Sequence, residues 1–433
     1  MKKQPRPAHV LVLGAGLAGL NAAYALKKRG VEVTVLEATN RIGGRVDTRR
    51  FADEPALTYE MGGEWIGKTH KHVRALCRQF GLRLIPHNLN THLLIRGIHK
   101  KPQHWRLHQN WYGMMDLMMK RFPHLRGRRL TELKNIDWWH FLMQHGMNQD
   151  DIELLELFHS TDIGESTRFT SAYNMLSEYE ENGGDIAFAV RDRIEGGNAL
   201  LPEALAATLG PRSIHFNSEA AYIAQHDGQV FVKTTDEKMY NGTYLVSALP
   251  TEALSNILWH PALHPRQKHA MDTLSYARIT KTAVLFKKRF WHDDRFEILT
   301  DTIAHHIYHA TQGQPGTSGI LVSYATGDRA ATIGSMSYQQ KLAAVCDALA
   351  VPFGDVRAYV QAVDSYYWGD NPYTRGAYAV FDSEDLASQT FLRKPNHHVF
   401  MAGEHTAQFQ GYMEGALESG ERAARQILYY LKK

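Results

Sequence analysis

Cysteine is scarce: Cys77 and Cys346 are the only two in 433 residues, and they stand far apart. They make no disulfide framework, and a reducing, cytoplasmic setting is expected. No run reaches about 18 consecutive apolar residues, so no membrane partner is expected. A large excess of charge of either sign is also lacking, since 49 Lys and Arg against 45 Asp and Glu leave +4. No stretch alternates basic residues with aromatics, which argues against nucleic acid. The most basic stretch, Lys120–Arg129, reads as solvated surface. His305, His306 and His309 put two imidazoles at i and i+4, but no acid or cysteine joins them, so no metal site is expected. There is no internal repeat and no low-complexity linker. A chain that is 44% hydrophobic and this long buries a large core, in two domains that the missing linker predicts to be interleaved.

What is present is concentrated at the two ends. Val10-Leu-Val-Leu-Gly14-Ala-Gly16-Leu-Ala-Gly19 closes an apolar run and opens an Ala-rich segment. A strand over His9–Leu13, a helix over Leu17–Arg29 stopped by Gly30 and a strand over Glu32–Leu36 are predicted. Gly14 permits the tight turn, Gly16 lets the backbone approach a pyrophosphate, and Gly19 lets the helix pack on the sheet. The helix N-terminus favours phosphate. Glu37, at the end of the second strand, can accept hydrogen bonds from a ribose diol. Met1-Lys-Lys before an apolar run has the outline of a signal peptide, but the glycines interrupt the run, so strand and helix are expected instead.

This motif does not separate NAD from FAD, and the next segment does. Glu37 followed by Arg41-Ile-Gly43-Gly44-Arg45 resembles the flavin-dependent amine oxidases, the superfamily of monoamine, polyamine and L-amino-acid oxidases. The resemblance implies that the second Gly-rich turn and Arg45 face the FAD phosphates, a task suited to a planar guanidinium. Gly62-Gly63-Glu64-Trp65 closes this N-terminal cofactor-binding part. At the other end, Phe400-Met-Ala-Gly403-Glu404-His405-Thr406 and Gly411-Tyr412-Met413-Glu414-Gly415-Ala416 resemble the family's closing motif. The resemblance puts Glu404 at the ribityl–phosphate region and Met413 at the flavin's pyrimidine end. It puts the backbone of Ala220 at the adenine.

Trp368 and Gly376-Ala377-Tyr378 resemble the stretch where monoamine oxidases carry a flavin-linked cysteine. That position is Ala377, so FAD is expected to be bound non-covalently. Tyr378 and Tyr412 match the family's aromatic cage, two facing rings around the substrate nitrogen; buried core tyrosines are the alternative. Lys281, in an otherwise apolar strand over Arg278–Phe286, resembles the family's lysine that holds a water near flavin N5 and assists reaction with oxygen. A lysine snorkelling from a half-exposed strand is the alternative. The snake-venom L-amino-acid oxidases hold the substrate carboxylate with an arginine where this chain has Trp65, which weakens the amino-acid reading; Arg375 is a substitute or a surface charge.

The implied fold is α/β. A Rossmann-type FAD-binding domain (1–70, 190–260 and 390–433) is interleaved with a mixed α+β substrate-binding domain (71–189 and 261–389). Residues 70–185 read mostly helical, with Trp111–Phe122 as a Met-rich core helix; Asp355–Val363 reads as a strand and Glu178, Glu180 and Glu181 as a solvated loop before Gly183-Gly184. The chain ends at Leu428–Lys433 without the hydrophobic tail of the membrane-anchored members. The implied reaction oxidises a C–N bond: hydride passes from the α-carbon of a small amine to flavin N5, the imine hydrolyses, and O2 becomes hydrogen peroxide. An L-amino-acid oxidase, a dehydrogenase or isomerase of the carotenoid-desaturase type and a non-catalytic flavoprotein scaffold remain open. A homodimer is equally open.

Overall fold

The computed structural model describes residues 8–183, 191–381 and 390–432. Met1–Lys3 and Gly184 lie outside them, as does Lys433. A five-stranded sheet is ordered Val399–Met401, Tyr244–Ser247, His9–Leu13, Glu32–Leu36, Ile214–His215. Each neighbouring pair runs parallel. Strands covered on both faces read as continuous apolar runs, which explains Val10–Leu13. Leu17–Lys27 and the closing helix Met413–Tyr430 pack on one face. They cross closely because Gly420 has no side chain: a Cβ there would stand 2.2 Å from the Ala18 carbonyl oxygen.

A seven-stranded sheet is ordered Val360–Tyr367, Ile279–Phe286, Gly319–Thr326, His306–His309, Phe296–Thr300, Asn90–Ile95, Ile98–Lys100. Strand Ile279–Phe286 is buried on both faces. With a period of two, Lys281 shares a face with Ala283 and Leu285, which pack toward Met61 and Tyr308. Helices Gln109–Arg121, Trp138–Gln144, Gln149–Ile163 and Ala172–Glu181 form a separate apolar cluster around Trp111 and Trp138.

The described part of the stretch from 70 to 185 is mostly helical, and strands Leu84–Pro86, Asn90–Ile95 and Ile98–Lys100 lie within it. Three expectations are corrected here. The strand expected at Asp355–Val363 begins at Val360, because Arg357–Tyr359 forms a 3-10 turn first. Glu178 and Glu181 belong to the helix Ala172–Glu181, capped by Ser171, and only Glu180 of the three is exposed. The histidines occupy no helix: His306–His309 is a strand, and His305 stands in the turn before it with φ 56°.

Candidate active site

One cavity of about 690 Å³ is lined by residues of both sheets. Every site residue singled out from the sequence lines it except Gly19. Gly19 acts one layer back, where a Cβ would stand 2.0 Å from the Gly14 carbonyl oxygen. Gly14 has φ 91°, a conformation that glycine adopts without strain. The two Gly-rich turns touch: Gly43 N–H donates to the Ala15 carbonyl at 2.9 Å, and a Cβ on Gly44 would stand 3.3 Å from the Gly16 Cα. Glu37 is 9% exposed and accepts from Ala15 N–H at 2.7 Å and Thr39 N–H at 2.9 Å.

Two of the helices that line the cavity meet it with uncapped N-termini. No side chain caps Leu17–Lys27 after Gly16, or Met413–Tyr430 after Tyr412. Their free N–H groups give the cavity two positive poles. Between them Arg45 donates to Glu404 at 2.6 Å and lies over the Tyr276 ring at 5.5 Å. Gly411 N–H donates to the other Glu404 oxygen at 2.8 Å. Burial alone would raise the Glu404 pKa, yet Arg45, His405 and that N–H hold it below the usual carboxylate value. The geometry therefore fits an elongated anionic dinucleotide. Ala220, Glu37, the glycine turns, the Arg45–Glu404 pair and Met413 all line the cavity.

Lys281 is 5% exposed, so it does not snorkel. Its ammonium donates to the carbonyls of Glu60 at 3.0 Å and Gly62 at 3.1 Å and to Glu64 Oε2 at 3.0 Å. Those three acceptors match its three protons. The same Glu64 oxygen accepts from the Tyr308 hydroxyl, and the Arg193 guanidinium stands 3.8 Å from Oε1. Trp368 is fixed by donating to the Met61 carbonyl at 2.8 Å. Trp65 packs at a tilt against His87 and Tyr308, with the Arg191 guanidinium 5.3 Å from its ring. Arg375 is 59% exposed, with Glu252 3.9 Å away.

Tyr378 and Tyr412 come together at the other wall. Gly411, next to Tyr412, lies against the Tyr378 ring; a Cβ there would stand 2.8 Å from ring carbon Cδ2. The Tyr378 hydroxyl donates to the Asp162 carbonyl, and the Tyr412 hydroxyl donates to Glu178 Oε1 at 2.5 Å. Burial raises the pKa of both phenols, helped by the Tyr324 and Tyr412 hydroxyls beside Tyr378 and by Glu178 and Asp162 beside Tyr412, so both rings stay neutral. His70 packs edge-on against Tyr412 with centroids 5.1 Å apart, and burial lowers its pKa to about 4. Sequence reasoning missed Asp162, His70, Arg193 and Tyr308, which join the site from helices and strands remote in the chain. None sits in a motif that marks it.

Residues 17–428 match the family model described as flavin containing amine oxidoreductase. The chain is 25% identical, over 96% of its length and 97% of the relative's, to the "Probable flavin-containing monoamine oxidase A" of Dictyostelium discoideum. It is 28% identical to "L-amino acid oxidase bordonein-L" of Crotalus durissus terrificus, over 97% of this chain and 87% of that one. In fold it resembles the cyclohexylamine oxidase of Brevibacterium oxydans IH-35A, with TM-score 0.85, 21% identity and coverage of 99% and 100%.

Proposed function

Starting from a chain that belongs to the flavin-containing amine oxidoreductases, an FAD-dependent oxidoreductase acting on amines, we propose which residues do the work. The observation that carries the assignment is the single cavity, which joins the residues of both terminal motifs to Lys281 and the tyrosine pair. Glu37 holds the adenosine ribose and Ala220 borders the adenine. The turns at Gly14–Gly16 and Gly43–Gly44, with Arg45, hold the pyrophosphate. The Met413 N–H faces the pyrimidine end of the ring, and Gly62–Trp65 complete the wall.

Bound there without a covalent link, FAD supplies a hydride acceptor. The protein's own part is to hold the amine between Tyr378 and Tyr412, with its lone pair aligned to the breaking C–H bond. The nitrogen must be neutral. An alkylamine with a lysine-like pKa of about 10.4 needs roughly 4–5 kcal/mol to lose its proton at pH 7. Removal of the nitrogen from water in the buried site reduces that cost by disfavouring the ammonium. Trp368 walls the site, and Lys281 places a fixed positive charge where charge develops on oxygen. The products are an imine, which water hydrolyses, and hydrogen peroxide.

A second reading, amino-acid oxidation, draws on Arg191 beside Trp65. That guanidinium already faces Glu297 at 3.4 Å, so the amine reading is preferred. We place the reaction in the cytoplasm, in a two-domain chain divided at 1–70, 190–260 and 390–433 against the rest, with a homodimer as the assembly. The test is a panel of amines and L-amino acids read by peroxide, beside acid precipitation of the protein. Free FAD in the supernatant and peroxide from amines support the reading. Flavin pelleting with the chain overturns the non-covalent assignment, and peroxide from amino acids alone overturns the substrate.

A further inference from the structure

The positive charge that Lys281 brings to the cavity is not a free one. Its ammonium has three protons, and three protein oxygens take them: the Glu60 carbonyl, the Gly62 carbonyl and Glu64 Oε2. None is left over to hold a water, the role that the resemblance implies. The third acceptor is charged. Glu64 lines the same cavity and is 4% exposed. The Tyr308 hydroxyl donates to the oxygen that meets Lys281 and so fixes the carboxylate on the ammonium. The other oxygen, Oε1, is buried and makes no hydrogen bond among the described residues; the Arg193 guanidinium stands 3.8 Å from it. Arg193 gives its own N–H groups to the carbonyls of Ala310 and Gln312.

Glu60 does not share this task. Its carboxyl accepts from the Thr48 hydroxyl and the Asn198 N–H rather than from Lys281, and burial pushes it up to about 7. Hydrogen bonding alone does not call for an acid at position 64. An amide oxygen would accept from Lys281 and Tyr308 equally well, whereas a carboxylate adds a charge.

That charge bears on one step. Oxygen becomes hydrogen peroxide by taking two electrons from the reduced flavin and two protons, one from the flavin and one from solvent. Negative charge builds on it as the first electron arrives, and an unpaired ammonium nearby favours this. A carboxylate 3.0 Å from the ammonium cancels much of its field, and burial keeps salt from screening the pair. We propose that Glu64 restrains the reaction of the reduced flavin with oxygen by offsetting the charge of Lys281. The proposal rests on the assignment of Lys281 to the oxygen reaction and refines it. Glu64 is a positioning residue that acts through Lys281.

The experiment uses the FAD-loaded protein reduced with stoichiometric dithionite, so that no amine need be a substrate. Reoxidation by oxygen is followed by stopped flow, and the flavin midpoint potential by equilibration with redox dyes. Glu64→Gln keeps an acceptor for Lys281 and Tyr308 and removes the charge. Its reoxidation is expected to be faster, on the order of tenfold, and its potential higher, because a negative charge has left the wall. Unchanged or slower reoxidation overturns the proposal and leaves Glu64 as a packing partner of Lys281; so does an unchanged potential. If the variant does not fold, the wild type decides alone. Its reoxidation is expected to stay below about a hundredfold over that of free reduced FAD, the low end of what one well-placed group supplies, and a larger acceleration overturns the proposal. Amine turnover with an unrestrained oxygen reaction sinks only this proposal; failure of every amine to reduce the flavin sinks the amine-oxidising reading and leaves the dithionite experiment intact.

Discussion

Replacing Lys281 with methionine tests the buried charge next to the reacting centre. The change removes three donors at once, to the Glu60 and Gly62 carbonyls and to Glu64. Glu64, 4% exposed, then keeps only the Tyr308 hydroxyl and an Arg193 guanidinium at 3.8 Å. Breaking a buried pair from one side destabilises by about 3–5 kcal/mol, because the remaining charge is uncompensated. Lys281→Met is therefore expected to lose about that much, and adding Glu64→Gln to recover part of it. The coupling in the double-mutant cycle should reach about 2–3 kcal/mol. Urea unfolding of the FAD-loaded proteins reads the stability term. Stopped-flow mixing reads the chemistry: flavin reoxidation by oxygen should slow more than anaerobic reduction by amine. Additive stability effects, together with unchanged oxygen kinetics, would refute the reasoning.

Three further outcomes follow from other contacts. Tyr→Ala at Tyr378 or Tyr412 should lower turnover strongly while the protein stays yellow and folded, and Tyr→Phe should be milder; full amine turnover in an alanine variant would remove the cage. Gly19→Ala puts a Cβ 2.0 Å from the Gly14 carbonyl oxygen, so purified protein should carry less FAD, and a full flavin complement would contradict the packing argument. Asp162, with its pKa raised to about 8, contributes stability that is present below the ordinary aspartate range and lost as pH rises through about 8. The stability of the wild type relative to Asp162→Asn, measured by denaturant without amine, should thus fall by a few kcal/mol from about pH 4 to 8; parallel pH profiles would show that the carboxyl titrates normally.

The parts of this molecule that could be read from the chain are those with a local cause. The turn at Gly14–Gly19, the strands on either side and the end of Leu17–Lys27 each follow from neighbouring residues. Tyr378 and Tyr412 were visible because each sits in a short motif of its own. Partnerships made across the sheets were not visible. Nothing near Lys281 in sequence points to Glu64, and nothing near Glu64 points to Tyr308. Glu178 was misread because three acids so close together before a glycine look like a solvated loop. Only the fold reveals that Ser171 starts a helix there and that Tyr412, from the far end of the chain, meets its carboxylate. Lys281 was legible as an anomaly, but its burial and its three acceptors were not.

The most direct test of the central claim, that one cavity holds FAD and oxidises amines in front of it, is an anaerobic titration of the FAD-loaded protein. Amine is added while the visible flavin absorption is followed, with the matching alcohol as control. The account predicts that amines bleach the flavin and alcohols do not, and that Tyr378→Ala and Tyr412→Ala slow the bleaching. A flavin that stays oxidised with every amine and amino acid tried would contradict it.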